Sequence, residues 1–142
     1  MPVRERRQQR RTVIYGKEKS LLNNISLPHD HGASLEKHMD SIPKTDDFQT
    51  LSDIFRLLGD GSRLRIFWIL CHCEECVINI SAMMDMSSPA VSHHLKALKT
   101  GKLIVSRRDG KEVYYKAADT EQAALLHRMI EELLEIACPG SC

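Results

Sequence analysis

The chain has 142 residues, 42% of them hydrophobic and 27% charged, the make-up of one ordinary globular domain with room for a tail and not for a second core. No window approaches the roughly 20 uninterrupted apolar residues of a membrane span. The basic N-terminus MPVRERRQQRRTVIYGK also lacks the apolar core of a secretory signal, so no membrane partner and a cytoplasmic location are expected. Structural disulfides are not expected there, and the five cysteines point to thiolate chemistry or to simple burial.

The net charge of +1 hides an asymmetry: residues 1–19 hold seven basic and two acidic side chains, so the remainder is mildly acidic. Such an arm suits nucleic-acid phosphates; a solvated, disordered leader is the other reading. Residues 1–43 are polar and weakly periodic and read as a flexible or partly helical arm, with LPHDHG as a turn and Ile42-Pro43 as its boundary.

Beyond the arm, Thr45-Asp46-Asp47 can cap a helix whose apolar face is Phe48, Leu51, Ile54, Phe55 and Leu58, ending at Gly59. Ser62 then caps the short apolar helix RLRIFWILC. CHCEECV follows, with Cys71, Cys73 and Cys76 placed in a loop. VINISAMMD is a short helix and MSS a turn. Ser88-Pro89 opens AVSHHLKALKTG, with proline at the first helical position and Gly101 at the stop. Two short helices joined by a tight turn form a helix-turn-helix, whose second helix enters the DNA major groove.

LIVSRRDGKEVYYKAA alternates as a hairpin around Arg108-Asp109-Gly110-Lys111, which makes the fold a winged helix, mainly α with a two-stranded β-wing. Asp119-Thr120 opens a last helix with Ala123, Leu126, Ile130, Leu133, Leu134 and Ala137 at helical spacing. That stripe exceeds what one small domain needs, so a twin helix in a second subunit is its expected cover. The domains expected are an arm over 1–43, a winged helix-turn-helix over 44–118, a dimerisation helix over 119–138 and a cysteine-containing tail over 139–142.

Residues from about 48 to 137, through LGDGSRLRIFWIL, SSPAVSHHLKALKTGKLIVSRRDGKEVYYKAAD and the terminal helix, resemble the ArsR/SmtB family of metal-responsive winged-helix repressors. The resemblance implies a homodimer built on the first and last helices. It binds palindromic operator DNA and represses a resistance or efflux gene until an inducer lowers its affinity.

On the DNA face, Ser88, Ser92 and His93 occupy the exposed early part of the recognition helix, with Val91, Leu95 and Leu98 on its buried side. Lys96, Lys99, Arg107, Arg108 and Lys111 supply phosphate contacts that release counterions, although each alone also reads as a solvated charge. His94, turned about 100 degrees from His93, reads as a packed, hydrogen-bonded histidine. Met83, Met84 and Met86 read as core filler or surface.

The family places an inducer site at the start of the third helix, as a Cys-x-Cys pair in one subgroup. Cys76 falls on the first of those cysteines, while Ile78 replaces the second and Asn79 stands where an acidic residue often sits. The same spacing recurs earlier as Cys71, Cys73 and Cys76. Three thiolates so placed suit trigonal As(III) or Sb(III), or most of a tetrahedral site for Zn(II), Cd(II) or Pb(II), with no organic cofactor. Buried cysteines acting as small hydrophobes are the alternative.

Family arm residues cross to the partner subunit to complete such a site, which makes His29 and His31 candidate ligands beside a reading in which they bind nothing. Cys138 and Cys142 compete as a C-terminal inducer pair. The family's second site, between the terminal helices, maps to Asp119, Glu121, Glu132 and Glu135. These all-oxygen donors suit Ca, Mg or Mn and read better as solvated charge. A thiol redox or persulfide sensor on the same fold is the second function considered. Trp68 occupies one of the cysteine positions that sensor needs. An enzyme is the third, but no nucleophile-base constellation or phosphate-cradling loop is present, and no small-molecule substrate is expected.

Overall fold

The structure is a computed structural model that describes residues 28–29 and 42–140. The basic residues 4–19, His31 and Cys142 lie outside the described residues. The chain divides into two units between Thr50 and Leu51. Of the first, His29 is exposed, and the first turns of helix α1 (Thr45–Leu58) begin where the Asp47 carboxylate accepts the Lys44 backbone N–H at 3.2 Å. Asp46 and Asp47 thus sit at the positive end of the helix dipole.

In the second unit, helix α2 spans Gly61–His72 and is capped by Asp60, whose carboxylate accepts the Arg63 N–H at 2.8 Å. The cap is therefore Asp60 and not Ser62. Asp and Ser are comparable N-caps, so the residue already in extended conformation takes the role. The helix runs past RLRIFWILC to His72, so Cys71 sits in its last turn and not in the loop with Cys73 and Cys76. A two-residue strand β1 (Glu75–Cys76) leads directly into α3 (Val77–Met84), which ends on a left-handed Asp85.

The recognition helix α4 (Ser88–Thr100) follows, capped by the Ser87 hydroxyl, which accepts the Ala90 N–H, with Pro89 in its first turn. Gly101 ends it without an unusual φ. A Cβ at that position would collide with the Leu57 side chain of α1, so close approach explains the glycine. Strands β2 (Ile104–Asp109) and β3 (Glu112–Ala117) form the wing, and α5 (Glu121–Ala137) is capped by Thr120.

The wing hairpin is tighter than its sequence suggested. Asp109 pairs with Glu112, leaving Gly110 and Lys111 as a two-residue turn in which Gly110, at φ 61°, supplies the positive φ. A third strand joins it: β1 pairs antiparallel with β3, Glu75 opposite Tyr115 and Cys76 opposite Tyr114, in the order β1-β3-β2. Two residues are too few to show a period of two, so nothing in the sequence marked β1 as a strand.

The core is where the amphipathic faces meet. Ile66, Phe67 and Leu70 of α2, Ile80 of α3, Val91, Leu95 and Leu98 of α4, and Leu103 and Ile104 at the wing base are almost wholly buried. Each such side chain contributes roughly 1.5–3 kcal/mol by leaving water. Three of them, Val91, Leu95 and Leu98, fix the rotation of α4 about its axis, which in turn decides which side chains it shows to solvent. Among the described residues, no helix is long and apolar enough to cross a membrane.

Candidate nucleic-acid interface and metal centre

Because Val91, Leu95 and Leu98 point inward, Ser88, Ser92, His93, Lys96 and Lys99 are left exposed on α4. Ser88 and Ser81 share a hydroxyl contact of 3.3 Å across the helix-turn-helix. Lys99 donates to Ser106 at 2.6 Å, tying the recognition helix to strand β2. Arg108 and Lys111 are exposed at the wing tip. Arg107 is exposed but engaged: it pairs with Glu74 and with Asp109 at 3.3 Å, and its guanidinium lies 4.9 Å from the Tyr114 ring centre. Its hydrogen bond to the Glu74 carboxylate, then that to Asp109, raises its pKa above the usual arginine value.

His94 is packed, with its side chain 14% exposed, but its Nδ1 is buried without a hydrogen-bond partner and stands 3.8 Å from the Asp60 carboxylate. The hydrogen bond expected of it is not made at Nδ1, since 3.8 Å is beyond hydrogen-bond reach. Met84 is buried, Met86 is packed against the core and Met83 is exposed.

The cysteines occupy three different environments. Cys71, in the last turn of α2, is half-buried, and burial, reinforced by the charge of Glu131, pushes its thiol up to about 11. Cys73, the C-cap, is exposed and directs its sulfur to the Ile69 carbonyl at 3.4 Å; partial burial, then the charge of Glu75, raises its pKa. Cys76 is buried in β1. All three are free. Among the described residues these three thiols do not form a group of ligand atoms within 4.8 Å of one another. Cys138, at the end of α5, is exposed and free. Asp119, Glu121, Glu132 and Glu135 are all exposed.

Among the described residues, the one group of three His, Cys, Asp or Glu whose ligand atoms lie within 4.8 Å of one another is His72, His127 and Glu131. His72 ends α2, and His127 and Glu131 lie on one face of α5 at i, i+4 spacing. Trp68 Nε1 donates to Glu131 Oε1 at 2.7 Å. That hydrogen bond, then those from His72 and His127, lowers the Glu131 pKa below the usual carboxylate value. The sequence reading missed His127 and Glu131. Their i, i+4 spacing was visible, but the convergence with His72, 55 residues before His127, was not.

Three helices with a hairpin beyond them, a polar recognition face and a basic wing define a winged-helix DNA-binding regulator. A family model described as bacterial regulatory protein, arsR family, matches residues 60–104. A transcriptional repressor SmtB homolog from a Synechocystis species is 33% identical over 108 residues, covering 76% of this chain and 82% of its own. The chain belongs to the arsR family of bacterial regulatory proteins. The cadmium resistance regulatory protein CadC of Listeria innocua is 41% identical over 70 residues, 49% of this chain and 59% of CadC. Among solved structures, reduced HlyU from Vibrio cholerae superposes with a TM-score of 0.56 at 26% identity, over 66% of this chain and 94% of HlyU. The homodimeric winged helix-turn-helix domain of a Mycobacterium bovis protein gives 0.58 at 24% identity, over 83% of this chain and 97% of that one, a likeness of fold.

Proposed function

We propose that this protein is a cytoplasmic, homodimeric transcriptional repressor without catalytic activity that releases operator DNA when a thiophilic ion binds at the junction between α2 and α3. In this reading residues 44–118 form the DNA-binding domain, residues 119–138 the dimerisation helix, and residues 1–43 and 139–142 the arm and tail. Ser88, Ser92 and His93 read base edges, while Lys96, Lys99, Arg107, Arg108 and Lys111 hold phosphates. The inducer is As(III), Sb(III), Cd(II), Pb(II) or Zn(II), held by Cys71, Cys73 and Cys76, with His29 and His31 from the arm as added ligands and Cys138 with Cys142 as the competing pair.

The observation that carries this reading is the placement of three free cysteines on a six-residue segment that enters the helix-turn-helix and pairs with the wing. Soft thiolates select such ions. The curated relatives include cadmium resistance regulators and, from Staphylococcus aureus, an arsenical resistance operon repressor, 30% identical over 88 residues. Cys71 lies in the last turn of α2, Cys73 caps it and Cys76 lies in β1, so an ion held by all three would couple α2 to the strand that pairs with the wing.

The test is operator binding by the reduced protein with and without each ion, repeated in Cys73→Ser, Cys76→Ser and a His29→Ala/His31→Ala pair. Release by As(III), Cd(II) or Pb(II) that disappears in Cys73→Ser or Cys76→Ser is expected. Release by oxidant alone would replace the reading with thiol redox or persulfide sensing.

A further inference from the structure

We propose that His72, His127 and Glu131 form a second metal site, built from nitrogen and oxygen donors and suited to Zn(II) or a neighbouring imidazole-preferring divalent ion, that bridges the end of α2 to α5. It does not rest on the thiolate reading, and none of its donors is a cysteine.

His72 Nε2 lies 3.1 Å from Glu131 Oε1 and 3.1 Å from His127 Nε2, and His127 Nε2 lies 3.3 Å from Glu131 Oε1. Tetrahedral zinc with bonds of about 2.0–2.2 Å has ligand-to-ligand edges of about 3.3–3.5 Å. The three donor atoms therefore already form a slightly contracted face of such a polyhedron. A fourth position would be left for water or an outside ligand, as zinc sites with two histidines and one glutamate leave it.

Hydrogen bonding cannot satisfy this triangle. Each Nε2 either donates a single hydrogen or accepts one, never both. The edge between the two nitrogens needs one donor and one acceptor, and that donor's only hydrogen is then spent. Its own edge to Glu131 is left unmade. If both rings donate to Glu131 instead, two N–H groups face each other across 3.1 Å, on an oxygen that already accepts from Trp68 at 2.7 Å. With Glu131 ionised, at least one edge sets like against like in every protonation state of the two rings. One cation facing three lone pairs removes that conflict.

The surroundings fit the assignment. Trp68, one turn before His72 on α2, lies against its ring at 4.3 Å between centroids, tilted by 47°, and holds the Glu131 oxygen by its indole N–H, as partners of ligating carboxylates do. The side chains of His72, His127 and Glu131 are 45%, 29% and 43% exposed, so an ion can enter from solvent. Two imidazoles among three donors favour zinc and its neighbours over calcium or magnesium, which take oxygen.

The decisive measurement is zinc stoichiometry in the full chain with all five cysteines changed to serine, by competition with a chromophoric chelator, alongside the Co(II) ligand-field spectrum. One equivalent per chain is expected, with a Co(II) spectrum free of sulfur charge-transfer bands. His127→Ala or Glu131→Gln should abolish it, and Trp68→Phe should weaken it by about tenfold. A serine chain with native circular dichroism that takes up no stoichiometric zinc overturns the proposal. If the serine chain does not fold, the reduced wild-type chain replaces it: loss of one zinc equivalent in His127→Gln supports the site, and unchanged stoichiometry overturns it. Failure of thiophilic ions to release the operator would leave this result untouched, so the two readings fail separately.

Discussion

Cys71 shows how strongly a single position can be set by its neighbours. Its thiol, pushed up to about 11 by burial and by the charge of Glu131, is protonated at neutral pH. Any ion that takes it as a thiolate must displace a proton, so affinity for a thiophilic inducer should rise with pH up to that value. Stability moves in the opposite direction. The folded-state pKa lies above the ordinary 9.0, so the contribution of this group is fully present below pH 9 and is lost as pH rises from 9 through 11. Thermal unfolding measured across that window should fall more steeply for the wild type than for Cys71→Ser; parallel curves would contradict it. Ser87 is a simpler case. Removing the hydroxyl that caps α4 should cost about 1 kcal/mol, read as a lower denaturation midpoint for Ser87→Ala.

At the scale of elements, the connection between α2 and α3 reaches the wing twice, through the β1–β3 pairing and through the Glu74–Arg107 ion pair. The second link engages a basic side chain that the proposed function assigns to phosphate. Glu74→Gln should therefore tighten operator binding and steepen the dependence of log affinity on log salt by about one phosphate contact; an unchanged salt slope would show that Arg107 never reaches phosphate. The sequence was informative about elements that carry a period. The faces of α4 and α5 and the alternation of the hairpin were legible because burial repeats along them, as at Val91, Leu95 and Leu98. Strand β1, the capture of Arg107 by Glu74 and the meeting of His72 with Glu131 carry no period. They come from residues far apart in the chain, and only the packing of α2 against α5 and the wing brings them together.

For the molecule as a whole, the apolar stripe of α5 remains partly uncovered in the single chain. Leu133 and Leu134 are 53% and 39% exposed, and an apolar groove lined by Phe55, Leu58, Leu64, Met129 and Leu133 runs between α1 and α5. Contiguous apolar surface of this kind marks an association face. Sedimentation should report a dimer for the wild type and a monomer for Leu133→Glu, and operator affinity should fall with it, because a monomer reaches one half-site only. A Leu133→Glu protein that remains dimeric would place the interface elsewhere.

The pairing of β1 with β3 also limits how this protein can be re-engineered. Side chains alternate faces along a strand, so a one-residue slip of Glu75 and Cys76 against Tyr115 and Tyr114 would exchange them, driving a carboxylate into the interior and a thiol into water. Loops transplanted here from other proteins must therefore preserve parity as well as ligands. A graft of the wrong parity would be rejected by the fold before its chemistry could be tried.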